Sequence, residues 1–110
     1  MKYICLVYME EATLTSVPDS ECMAFGESIH ATGHRLGGEA LRPAASAKTV
    51  RVRKGRVSVT DGPFAETKEQ LAGFYLVDAE TFDEAVEIAS RIPPARVGSI
   101  EVREVRELEP

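Results

Sequence analysis

The sequence predicts an α+β domain with two helices laid on one face of a small sheet, and three observations carry the prediction. The runs Tyr3 to Met9 and Ala72 to Val77 are apolar at nearly every position, as strands are when both of their faces are covered. Two stretches with apolar residues at helical spacing, Cys22 to Gly33 and Phe82 to Ile92, alternate with the strand-like runs. Between them lies a pair of short valine-alternating segments joined by Lys54-Gly55, which reads as a β-hairpin.

A chain of 110 residues is expected to form one domain over residues 1–110, burying roughly 65% of the surface its unfolded chain exposes. With 44% apolar and 28% charged residues the composition is that of an ordinary globular protein. A net charge of −5 argues against generic nucleic-acid binding, because neutralising phosphates needs a surplus of Lys and Arg. Cys5 and Cys22 sit among apolar neighbours, with no CxxC and no ligand-spaced Cys/His set, so they read as reduced, buried thiols and a zinc site is not expected. The apolar start is short and runs into Glu10-Glu11 without a cleavage site. No stretch approaches a membrane span. A cytoplasmic location is the expectation by elimination.

Taken in order, the first strand places Tyr3, Cys5, Val7 and Met9 on one face and Ile4, Leu6 and Tyr8 on the other. Pro18 in the first turn with Asp19 and Glu21 marks a helix start, Cys22, Phe25, Gly26 and Ile29 its buried stripe, and Gly33 its stop. Leu36 to Leu41 is a short strand in which Gly37-Gly38 suggests a bulge, or close approach of another chain or a ligand to the backbone. The hairpin comes next, then the strand Ala72 to Val77, expected beside the first. Thr81 with Glu84 forms a capping box for a helix whose buried stripe is read as Phe82, Ala85, Val86, Ala89 and Ile92, ended by Pro93-Pro94. Ile100 and Val102 alternate with charges in a last strand.

Without the hairpin the order is β-α-β-β-α-β, the split arrangement of ferredoxin-like folds. Two helices cover one face of such a sheet. The apolar residues of the other face predict a homodimer through facing sheets.

Charge is uneven. Arg42, Lys48, Arg51, Arg53, Lys54 and Arg56 are six of the thirteen cationic residues, and residues 42–56 contain no acid. They read either as a solvated hairpin edge that discourages strand pairing or as a docking surface for an anion or an acidic partner.

Between hairpin and last helix lies the most distinctive stretch, Asp61-Gly62-Pro63-Phe64-Ala65-Glu66-Thr67-Lys68-Glu69. It resembles the signature of DGPF-domain proteins, a branch of the YCII-related superfamily. The similarity extends to Met1-Lys2-Tyr3, Gly38-Glu39-Ala40-Leu41, Gly73-Phe74-Tyr75 and the ending Gly98 to Arg103. The resemblance implies a dimeric α/β-barrel. Some YCII relatives are enzymes, or proposed enzymes, using a His–Asp pair; this chain puts Cys22 and Ile92 near those positions, so the dyad chemistry does not carry over. The resemblance also implies an association with extracytoplasmic-function sigma factors.

Two functions remain open at the level of sequence. One is cofactor-independent acid–base chemistry on, or binding of, a small organic molecule near the DGPF loop. Its candidate catalytic residues are Asp61, Glu66 and Lys68, and its candidate ligand-binding residues are Tyr8, His34 and Phe64. The other is a regulatory module docking a partner such as a sigma factor through residues 42–56. Each candidate also has a structural reading: Asp61 as a turn-capping acceptor, Glu66 and Lys68 as solvated charges, Tyr8 as a core residue, and His34 as a cation at a helix C-terminus. No phosphate loop, nucleophile elbow, haem pattern or dinucleotide fingerprint is present.

Overall fold

The structure is a computed structural model that describes residues 1–110. Six strands, β1 (Lys2–Glu10), β2 (Arg35–Ala40), β3 (Lys48–Arg53), β4 (Arg56–Asp61), β5 (Glu69–Asp78) and β6 (Ser99–Glu104), accompany two helices, α1 (Asp19–Ala31) and α2 (Phe82–Ser90). The main sheet has the order β2-β5-β1-β6, antiparallel throughout, and β3-β4 form a separate two-stranded sheet. With the hairpin set aside this is the ferredoxin-like arrangement, the long strands β1 and β5 paired at the centre. No helix is long and apolar enough to cross a membrane.

Strand alternation decides which residues the helices cover. Tyr3, Cys5, Val7 and Met9 are 4% exposed or less and pack with Phe25 and Ile29 of α1 and Ala85, Ile88 and Ala89 of α2. The stripe read for α2 is corrected. Ile88 belongs to the core, while Phe82 and Val86 remain 46% and 47% exposed, because the helix turns its 85–88–89 side inward and leaves the other flank of the stripe at its edge. Phe82 still meets the edge of Tyr3, ring centroids 5.4 Å apart.

Local signals set the ends of the elements. The amide of His34 donates to the carbonyl of Ile29 and that of Gly33 to His30, a Schellman closure of α1. The hydroxyl of Thr81 accepts from the amide of Glu84 at 3.1 Å, supplying the backbone half of the capping box. Lys54 and Gly55 both have positive φ, 51° and 73°, the geometry of a type I′ hairpin turn. A register shift between Arg35 and Gly37 marks the bulge expected in β2. A Cβ on Gly38 would stand 2.8 Å from the carbonyl oxygen of Phe74 and 3.2 Å from Cδ1 of Tyr75. The close approach at this glycine is therefore that of the protein's own strand β5.

Candidate functional site

Between α1 and the β2–β5 side of the sheet lies a cavity of about 540 Å³. Val7 and Met9 of β1, Leu14, Val17 and Met23 give it apolar walls, and Pro43 and Pro94 belong to the lining. Six polar side chains line it. Tyr75 is held by the edge of the Phe25 ring, centroids 5.2 Å apart at 84°, and occupies space that the missing side chain of Gly38 leaves free. Cys22 and Arg35 also line the cavity, and Arg35 Nε lies 4.0 Å from the position of a Cβ on Gly26. Arg35 takes part in none of the ion pairs of the structure, so its guanidinium is available to an anion. Asp19, Glu27 and Glu39 supply carboxylates around the lining.

The environment fixes the protonation of two of these groups. Burial, followed by the neighbouring Cys22, raises the Tyr75 phenol, with Arg35 acting against it. Burial, then Asp19 and Glu21, raises the Cys22 thiol, with Arg96 acting against it. At neutral pH Tyr75 is therefore a hydrogen-bond donor, and Cys22 is a thiol rather than a nucleophilic thiolate. A donor and a cation facing an apolar cavity suit an anionic oxygen on a flat organic molecule. No cluster of His, Cys, Asp and Glu is arranged to hold a metal ion.

The residues singled out in the sequence stand elsewhere, and none of the six lines this cavity. Asp61 ends β4 with its carboxylate 85% exposed, accepting from Lys48 Nζ at 2.6 Å. It is bonded neither to the following amides nor within the large cavity; the turn is instead tied by the Gly62 amide to Ala47 and by the Thr49 hydroxyl to the Gly62 carbonyl. Phe64 is 80% exposed and Glu66 is exposed in the same loop. Lys68 reaches Glu10 at 3.5 Å. His34 bridges Thr32, through Nδ1 at 2.7 Å, to Glu84 on α2, through Nε2 at 2.9 Å, linking the end of one helix to the start of the other. Tyr8 faces the side of the sheet that the helices leave open, where burial and then Glu101 raise its phenol. Arg35 carried no sequence signal of its own; Tyr75 lay in the family-like stretch Gly73-Phe74-Tyr75, and Cys22 near a position where the resemblance implies a histidine.

A family model for the YCII-related domain matches residues 1–109. The chain belongs to the YCII-related family. An uncharacterized protein of Rhizobium meliloti (strain 1021) is 51% identical over 65 residues, a match covering 57% of this chain and 52% of that protein. The match thus spans about half the length of that curated relative. Among solved structures, 5-chloro-2-hydroxyhydroquinone dehydrochlorinase from Burkholderia phenoliruptrix AC1100, in complex with 2,5-dihydroxybenzoquinone, aligns with a TM-score of 0.61. That alignment covers 96% of this chain and 94% of the other at 15% identity, and the likeness is one of fold.

Proposed function

We propose that this YCII-related protein is a homodimer that binds a small planar organic anion in the α1–β2–β5 cavity and acts on it by proton transfer. The observation that carries the reading is the convergence of Tyr75 and the unpaired Arg35 on an apolar cavity of about 540 Å³. In this reading Arg35 neutralises an oxyanion, Tyr75 donates a hydrogen bond to the same or a neighbouring oxygen, and Asp19 or Glu27 exchanges the proton. In this reading the proton transfer uses these side chains alone. The ligand class is supported by the structural neighbour, whose bound 2,5-dihydroxybenzoquinone is a flat, acidic ring. The dimer is supported by the open sheet face, where Ile4, Leu6, Tyr8, Phe74 and Leu76 are half-buried with no helix over them. A part for Asp61, Glu66, Lys68 and Phe64 rests on a second subunit bringing that exposed loop to the ligand.

Calorimetric titration with 2,5-dihydroxybenzoquinone tests the site. Arg35→Gln is expected to weaken binding at least tenfold, about 1.4 kcal/mol, and Tyr75→Phe by less. Gly26→Met, whose side chain enters the cavity with room for its Cβ, is expected to abolish binding while circular dichroism stays unchanged. Wild-type protein that fails to bind, or wild-type affinity in either Arg35→Gln or Gly26→Met, overturns the assignment.

A further inference from the structure

The hairpin β3-β4 belongs to neither layer of the domain. It hydrogen-bonds to no strand of the main sheet, and the chain enters and leaves it at one point, where the Gly62 amide meets the Ala47 carbonyl. The molecule is accordingly extended, 46 × 42 × 19 Å with a radius of gyration of 15.7 Å, against about 13 Å for a compact chain of this length.

Register makes this projecting element two-faced. Val50 pairs with Val59 and Val52 with Val57 on one side, while Arg51 pairs with Ser58 and Arg53 with Arg56 on the other. All four valines are 57–67% exposed. A lone two-stranded hairpin is marginal in water, and a contiguous row of β-branched side chains on it is surface that another body is suited to cover.

We propose that this hairpin is an arm whose valine face closes on a second copy of the chain, extending the sheet-face interface beyond the edge of the four-stranded sheet. Charge favours a second copy. The arm, residues 48–61, holds five of the thirteen cations and one of the eighteen acids, Asp61, so each arm is basic and each body strongly acidic. Such a pair attracts and orients its copy. In a two-fold dimer each arm meets the partner's body, so one pairing is made twice. The proposal rests on the homodimer reading above, and its test separates the two.

Sedimentation equilibrium of the full chain, from micromolar to millimolar concentration and at low and high salt, measures self-association. Val50→Ser with Val57→Ser halves the apolar face of the arm, and Phe74→Arg strikes the open sheet face. The arm variant is expected to raise the dimer dissociation constant at least tenfold with unchanged far-ultraviolet circular dichroism, and Arg51→Gln with Arg53→Gln to flatten its salt dependence. Should the double serine change lower the dichroism, excision of residues 48–61 behind a Gly-Gly join, which leaves the main sheet whole, gives the same reading. A wild-type dimer that Phe74→Arg dissociates, but whose constant neither arm change moves by more than twofold, overturns the arm and keeps the dimer. A monomeric wild type throughout overturns both, and an arm that binds a different protein without affecting self-association overturns the arm.

Discussion

Strand β1, apolar on both faces, and the hairpin β3-β4, apolar on one, lie in opposite surroundings. In β1 the alternate residues Tyr3, Cys5, Val7 and Met9 are sealed under two helices, whereas Val50, Val52, Val57 and Val59 stand exposed. Each presents a row of alternate apolar residues, so the row alone does not set the difference. It arises from the elements that succeed each strand along the chain. β1 leads into α1, and β5 into α2, and each helix folds back with an amphipathic face; the hairpin leads only into its own turn and back to the point where it began. Alternation specifies a surface, and connectivity decides whether the chain itself covers it.

The sharpest way to break this contrast is to truncate one apolar residue on each side of it. Ile88→Ala removes a side chain that is 1% exposed and is expected to cost about 2–5 kcal/mol in urea denaturation. Val52→Ala, at 57% exposure, is expected to change the stability of the fold by no more than about 0.5 kcal/mol. A comparable loss at both positions would show that the hairpin is part of the folded core.

A smaller effect is expected from pH. Burial pushes the Cys5 thiol up from 9.0 to about 11, so the unfolded chain loses its proton before the folded one. The contribution is therefore complete below pH 9 and is lost as pH rises toward 11, by on the order of 2–3 kcal/mol. Cys5→Ala lowers the baseline but flattens the slope between those values. A wild-type slope that survives in the variant would place the titration elsewhere, with Tyr3, Tyr8 and Tyr75, all raised above their ordinary value by burial first, as the next groups to titrate.

The smallest effect concerns Asp61. Its partner is an exposed lysine on the neighbouring hairpin strand, and such pairs contribute little. Asp61→Asn and Asp61→Ala are both expected to stay within about 0.5 kcal/mol of wild type in thermal denaturation. A loss near 2 kcal/mol in the alanine variant with a mild asparagine variant would restore the capping role that the sequence suggests.

By itself the sequence determined the order of the elements, because the information there is local. Positive φ at Lys54-Gly55, the Schellman turn at Gly33, the cap at Thr81 and the twofold and helical periodicities each depend on residues a few positions apart. It also determined the family, through a contiguous stretch and matching flanks. The tertiary structure alone decided the candidate site. Arg35 opens β2, Cys22 lies on α1 and Tyr75 on β5, and only the bulge in β2, the bare backbone of Gly38 and the seat of α1 bring them to one cavity. The DGPF stretch shows the converse, since its dense run of charges and its Gly-Pro pair define an exposed loop outside that cavity. Convergence across distant strands and helices is a property of packing, and packing leaves no periodicity in the chain to read.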